Sequence, residues 1–316
     1  MYQPRVITVT FNPAIDKTLI IPGFAKEKIN RVRSEHMQAG GKGVNVASLL
    51  GDFGFVVEAT GFLGKVNAKI FEELLQKKKI TNRFIYTNGE TRTNLKIVDP
   101  SLQQTTDINF SGLQPTRKDV DKLLQLLNDI SSGGTWFIVS GSLPQGVDTK
   151  IYRDLIHSVT SRGGIVSLDT SGEALQYALD ATPHLIKPNL QELQDFFMRT
   201  LKTKEEILQA GKDLLARGIK IVVISCGASG AFFLENSKAI FAGPPKVCVK
   251  STFGAGDAML SGMVVAKLRG LSLVESARLA TACAAMAISH TDPEVPREDV
   301  IDKFVNGVTI SPEYTW

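Results

Sequence analysis

Trp136-Phe137-Ile138-Val139 runs directly into Ser140-Gly141-Ser142-Leu143-Pro144. Four apolar residues without polar alternation read as a short strand buried on both faces. The Ser, Gly and Pro behind them read as a turn. The same grammar extends in both directions. A helix over 116–131 precedes this strand and one over 148–162 follows it. Next come Ile165 to Leu168 with Asp169, a short helix, and His184 to Ile186 with Lys187-Pro188-Asn189. Helices near 189–199 and 203–217 lead to the strand Ile221 to Ser225. Buried strands alternating with helices predict an α/β fold in three layers, with a mostly parallel central sheet. Ligands of such sheets gather at the carboxyl ends of the strands, and these strands end in glycine, serine, aspartate or asparagine.

Outside that region the pattern is less regular. Val6 to Thr10 reads as a buried opening strand ending at Asn12-Pro13. Residues 11–36 and 89–112 lack helical periodicity. Thr91 to Val98 alternates with period two, which means strands with one wet face. The two stretches are expected to form a small β-sheet lid inserted into one domain spanning 1–316. Val44 to Leu50 and 68–78 read as helices. Phe232 to Leu234, Ala239 to Phe241 and Val247 to Val249 read as short antiparallel strands, and Gly254–Leu268, Leu273–Ser289 and Arg297–Asn306 as helices.

The chain has 316 residues, 43% hydrophobic and 22% charged, with net charge +4 and no long basic run. That balance argues against nucleic acid and suits small anionic substrates. Cys226, Cys248 and Cys283 make neither a metal spacing nor a disulfide framework, which suggests a reducing cytoplasm. No apolar run is long enough to span a membrane, and the start lacks the apolar core of a signal peptide.

Nothing reads GxxxxGK[ST], and no GxGxxG follows the first strand. Two glycine runs remain, Gly40-Gly41-Lys42-Gly43 and Gly254-Ala255-Gly256. The second opens a helix with Asp257 in its first turn. Backbone amides there make an anion site. The carboxylate either stabilises the helix start or acts as a base beside that site. Asn189 and Glu192 share one face of a helix start and by themselves read as a capping pair. Asp16 by itself reads as a surface turn residue, Asp169 as a helix cap, and Lys96 as part of a solvated strand face. His36, His157, His184 and His290 stand apart from one another and read as structural.

The pair Gly40–Asn45 and Ser251–Asp257 resembles the two signatures of the ribokinase-like sugar kinases, in their phosphofructokinase B branch. The likeness continues through Asn12–Asp16, Thr91–Asn94, Ser140–Pro144, Lys187–Glu192 and Ser225–Ala228. Gly61–Lys65 and Thr106–Gly112 look most like the fructose-1-phosphate kinases of that branch, with the tagatose-6-phosphate kinases as near neighbours. The resemblance implies ATP- and Mg²⁺-dependent phosphorylation of fructose 1-phosphate. Tagatose 6-phosphate or fructose 6-phosphate are the alternatives, and a non-catalytic sugar-phosphate-binding regulator is a rival of another class.

It also implies roles. Asp257 would be the general base, and Gly254, Ala255 and Gly256 the anion hole. Asp16, Gly41 and Asn45 would hold the sugar, and Lys42, Arg92, Ser140 and, less directly, Lys28 would sit at the substrate and its phosphate. Lys187, Asn189, Ser225, Gly227, Gly230, Thr252, Gly254 and Gly256 would line the ATP site, and Asn189 and Glu192 would organise Mg²⁺ through water. Cys226 and Phe253 depart from the branch's commoner aliphatic residues without removing a catalytic group. A homodimer clasped through the lid is the implied assembly.

Overall fold

The computed structural model describes residues 4–250, 254–289 and 298–316. In chain order the elements are β1 Val6–Thr10, β2 Ala14–Ile20, β3 Ser34–Gly40, α1 Lys42–Asp52, β4 Val57–Gly64, α2 Lys69–Lys77, β5 Thr81–Asn82, β6 Ile85–Thr87, β7 Thr93–Asp99 and β8 Gln104–Ile108. They continue with α3 Arg117–Ile130, β9 Trp136–Ser140, α4 Ile151–Thr160, β10 Ile165–Asp169, α5 Gly172–Asp180, β11 Leu185–Ile186, α6 Leu190–Phe197, α7 Lys204–Ala216 and β12 Ile221–Ser225. The remainder is β13 Ala231–Glu235, β14 Lys238–Gly243, α8 Ala255–Leu268, α9 Leu273–Ser289, α10 Glu298–Gly307, β15 Thr309–Ile310 and β16 Tyr314–Thr315.

The main sheet runs β15-β14-β13-β12-β11-β10-β9-β1-β4-β5. It is parallel from β12 through β4 and antiparallel from β12 to β15. Its two faces bury different cores. Along β9, Trp136 and Ile138 join the core with α1, α8 and α9, while Phe137 and Val139 join the core with α3, α4 and α5. Burial on both faces explains why this strand reads as an unbroken apolar run. The helices start where the sequence offers caps. Thr116 with Asp119, Asn189 with Glu192, and Thr203 with Glu206 each form a reciprocal capping box.

The smaller sheet, β3-β2-β7-β8, comes from the two irregular stretches. Its central pair, β2 and β7, is parallel and sets Asp16 beside Asn94 and Thr18 beside Lys96. β3 continues to Gly40, beyond the expected limit at 36, and passes directly into the glycine run before α1. Two readings are corrected. Val247 to Val249 is irregular chain, because antiparallel pairing with β14 is supplied by β15 and β16 from the C-terminal end. Asp169 does not cap α5, whose N-cap Ser171 has no side-chain bond; its carboxylate points to two lysines instead.

Candidate active site

The first glycine run sits hard against the end of β1. Gly41 has φ 105°, and a Cβ there would lie 2.9 Å from Pro13 Cα, so only glycine fits. A Cβ on Gly43 would collide with the Thr10 hydroxyl. These approaches bring the start of α1 to the carboxyl edge of the main sheet. There Asn45 donates from Nδ2 to Asp257 Oδ2 at 2.7 Å, joining the first and last signatures across 212 residues.

Asp257 lies in the first turn of α8, only 6% exposed. The N-cap is Gly254 (φ 75°), with no side-chain cap. The first intrahelical bond runs from Ala258 to Gly254. The amides of Ala255, Gly256 and Asp257 therefore have no acceptor among the described residues, as the opening amides of a helix do. These amides and the Asp257 carboxylate are neighbours. Burial first, and then repulsion from Asp169, push the Asp257 carboxyl up to about 6, against the opposing bond from Asn45 and the charges of Lys42 and Lys187.

Asp169 ends β10 and is essentially inaccessible. Lys42 Nζ lies 3.0 Å from its Oδ1, and Lys187 Nζ 3.3 Å from its Oδ2. Burial would raise its pKa, but Lys187 and then Lys42 pull it below the usual carboxylate range. Burial would likewise depress the Lys42 ammonium, yet Asp169 leads Asp257 and Glu192 in holding it charged. The Lys187 ammonium is also 3.2 Å from where a Cβ of Gly256 would be, so the small residue there admits it. Two carboxylates and two ammonium groups thus meet at the mouth of α8. Asp169, which reads as a cap from the sequence, belongs to this centre, and its position at a strand end was the available signal.

Lys42 is therefore tied to the centre around Asp257 through Asp169. Arg92 has three N–H groups donating to backbone carbonyls, those of Phe110 (2.7 Å), Asn12 (3.0 Å) and Pro13 (3.4 Å). Its fork binds the root of the small sheet in this arrangement. Asp16 is no surface turn residue. It stands half-buried on β2, where burial foremost lifts its carboxyl to about 6, and it accepts from Asn94 at 3.3 Å. A Cβ on Gly40 would collide with it. Ser140 is fully buried at the end of β9. Lys28 is exposed in the loop between β2 and β3, apart from these groups.

On the other side of Lys187, Asn189 Oδ1 accepts from the Glu192 amide and Glu192 Oε2 from the Asn189 amide. The capping reading thus holds, and it leaves Glu192 Oε1 without a partner among the described residues. Ser225 lies beside Asn189 through an isolated parallel bridge. Gly227 has φ 60° with open space around it. Gly230 has φ 120°, and a side chain there would strike the Ala242 carbonyl. Burial raises the Cys226 thiol to about 11, a packed and unreactive group. Thr252 and Phe253 lie outside the described residues.

Asp16, Asn45 and Gly254 line a cleft of about 1000 Å³ between the small sheet and the main body. Asn94, Lys96 and Asp107 line it too. Lys96 is half-buried, not on a freely solvated face. Its spacing two residues from Asn94 on a period-two strand was the signal that could have placed it on the sheet face that carries Asp16. Among the described residues no helix is long and apolar enough to cross a membrane.

Comparison with known proteins fits this geometry. The family model for pfkB family carbohydrate kinases matches residues 9–299. A 1-phosphofructokinase of Rhodobacter capsulatus is 40% identical over 307 residues, covering 97% of each chain. That of Escherichia coli K12 is 37% identical over 310 residues, covering 98% of each. Among solved structures, phosphofructokinase-2 from Escherichia coli in complex with substrates and products superposes with TM-score 0.90 at 27% identity, covering 96% of this chain and 98% of that one. A possible 1-phosphofructokinase from Thermotoga maritima gives TM-score 0.86 at 28% identity, covering 97% and 99%. With both glycine signatures closing on one buried aspartate, the chain belongs to the pfkB family of carbohydrate kinases.

Proposed function

We propose that this chain transfers the terminal phosphoryl group of ATP to the 6-hydroxyl of fructose 1-phosphate, giving fructose 1,6-bisphosphate and ADP. The observation that carries the reading is Asp257, a buried carboxylate beside helix-start amides that have no acceptor among the described residues and near two ammonium groups. With its carboxyl near 6, the group is ionised at neutral pH yet basic enough to accept a proton as the alcohol oxygen attacks phosphorus. The oxygen–phosphorus bond to the sugar forms, the bond to the leaving ADP oxygen breaks, and the proton rests on Asp257. Amides of Ala255 to Asp257 stabilise charge on the moving phosphoryl oxygens, each such donor contributing about 10²–10³-fold. Lys42 and Lys187 add positive charge where the phosphates must lie, held apart by Asp169.

Asn45 fixes the Asp257 carboxylate, and Asp16 with Asn94 would hold sugar hydroxyls from the small sheet. That sheet acts as a lid that excludes water, since water admitted here would hydrolyse ATP. ATP would lie along Ser225 and Gly227, where the backbone is open, with Gly230 keeping β13 and β14 in register. The donor set suits Mg²⁺. Glu192 offers a carboxylate oxygen unused by its cap, and Asn189 offers its amide at the rim of the same cluster. Mg²⁺ bound there would neutralise phosphate charge.

The lid also exposes Met37 (43%), Ile108 (41%) and Phe110 (50%), an apolar outer surface suited to a second copy. Sedimentation showing only monomers at micromolar concentration would remove that assembly. Turnover of fructose 1-phosphate, tagatose 6-phosphate and fructose 6-phosphate with ATP tests the reaction itself. A kcat/KM at least tenfold higher for fructose 1-phosphate is expected, and ATP-dependent product from none of them would refute it.

A further inference from the structure

We propose that Asn67 is a positioning residue for the transfer reaction: it moors the small sheet to the main body at Thr91, and that mooring sets where Asp16 and Asn94 arrive when the sheet closes over the sugar. This rests on the reading just given and adds a residue outside the cleft on which its geometry depends. Asn67 lies half-buried in the turn between β4 and α2. Its Nδ2 donates to the Thr91 carbonyl at 2.8 Å, and its Oδ1 accepts from the Thr91 amide at 2.8 Å. Thr91 is 1% exposed and falls between β6, which ends at Thr87, and β7, which starts at Thr93. A buried peptide outside a ladder must find both of its partners elsewhere. One side-chain amide supplies both, since it carries a donor and an acceptor together. The Thr91 hydroxyl accepts from the Gly64 amide at 2.9 Å, and the Val66 amide donates to the Gly89 carbonyl at 3.2 Å. A Cβ on Gly64 would lie 2.3 Å from the Thr91 nitrogen, so the end of β4 and Thr91 are in direct apposition.

The residues just after Thr91 hold the small sheet together. The Arg92 carbonyl accepts from the Ile15 amide at 2.8 Å. That bond opens the parallel pairing of β2 with β7, which sets Ile15 beside Thr93 and Asp16 beside Asn94. The Arg92 guanidinium reaches the carbonyls of Asn12, Pro13 and Phe110. Asn94 accepts from the Phe110 amide at 3.2 Å and donates to Asp16 at 3.3 Å. Three separate passages of chain, Asn12 to Asp16, Thr91 to Asn94 and Phe110, are thereby knitted into one piece. Beyond Thr91, β7 pairs with β2 on one side and β8 on the other, both strands of the small sheet. The sheet can therefore swing as a unit about the junction after Thr91, as closing elements do about a few residues at their ends. Fixing that pivot fixes the position of Asp16 over the sugar, and a misplacement of about 1 Å can cost about 10²-fold in rate. With the pivot loosened, the sheet would seat poorly, hold the sugar less well and let water reach ATP.

The test uses the full-length enzyme and its variants Asn67→Ala and Asn67→Asp. The second keeps the size and the acceptor for the Thr91 amide, but turns an oxygen toward the Thr91 carbonyl where a donor is needed. In both, KM for fructose 1-phosphate is expected to rise about tenfold or more, the worth of two amide hydrogen bonds, while KM for ATP stays within about threefold. Both should also release about two or more ADP per fructose 1,6-bisphosphate formed, where the wild type releases about one, because a poorly seated sheet admits water. A residue that only supported the fold would lower ADP release and product formation together and leave their ratio unchanged. Hydrogen exchange without substrate reads the mooring separately. Amides of β7 and β8 should exchange about tenfold faster or more in Asn67→Ala, while those of β9, β10 and β12 keep their protection. A wild type that makes no fructose 1,6-bisphosphate would refute the kinase reading, and the exchange rates would then decide the mooring by themselves. Unchanged exchange in Asn67→Ala, or a wild-type ratio of ADP to product in both variants, would overturn the proposal.

Discussion

Replacing Asp257 by Asn should make the enzyme nearly inactive and at the same time more stable. Asn keeps the shape and can still accept the bond from Asn45 Nδ2. Loss of the base is expected to lower kcat by about 10²–10⁴-fold. Stability moves the other way. The native carboxyl sits at about 6 instead of its usual 3.8, through burial first and Asp169 second. The native chain therefore binds this proton more readily than the unfolded chain. The associated stability is fully present below the unfolded value and is lost as pH rises through about 6. At about 1.4 kcal/mol per pKa unit, ionisation of this group costs the native state about 3 kcal/mol at pH 8. Asn, always neutral, escapes that cost. Urea unfolding of both proteins at pH 8 should show D257N more stable by up to about 3 kcal/mol, with the gap roughly halved at pH 5. A coupled assay of ADP release should show wild-type activity falling below about pH 6, with no such limb in the residual D257N rate. Turnover within threefold of wild type would remove the base, and a D257N protein less stable at pH 8 would refute the electrostatic reasoning.

Other changes test neighbouring groups. Asp169→Asn leaves the 4%-exposed Lys187 without its buried counter-charge. Thermal or urea unfolding should register a loss of about 3 kcal/mol, the usual cost of breaking a buried pair, and no measurable loss would show that water already screens these lysines. Arg92→Met removes the donors to three carbonyls at the root of the small sheet. Hydrogen exchange across residues 93–108 should accelerate about tenfold or more with little change in the main sheet, each bond to a charged donor contributing about 1.5–3 kcal/mol; unchanged exchange would deny Arg92 that role. Glu192→Gln can keep the capping bond, so stability should change by less than about 1 kcal/mol. The Mg²⁺ concentration for half-maximal rate should nevertheless rise about tenfold or more, and an unaltered Mg²⁺ requirement would place the metal elsewhere.

Much of this was open to reading from the chain alone. Apolar runs such as Trp136 to Val139 can satisfy both faces only in a covered parallel sheet, and glycine at 41, 254 and 256 marks backbone that must bend or admit a neighbour. Those features are local, since period, β-branching and φ are properties of a few consecutive residues. They located the fold, the two signatures and Asp257. Charge partnership is not local. Whether Asp169 caps a helix or holds Lys42 and Lys187, whether the Arg92 fork is spent on carbonyls, and whether Lys96 faces water or Asp16 depend on strands far apart in sequence. Only the assembled sheets set those distances and remove the water. At close range in a partly dry cleft, such distances decide how ionic groups behave.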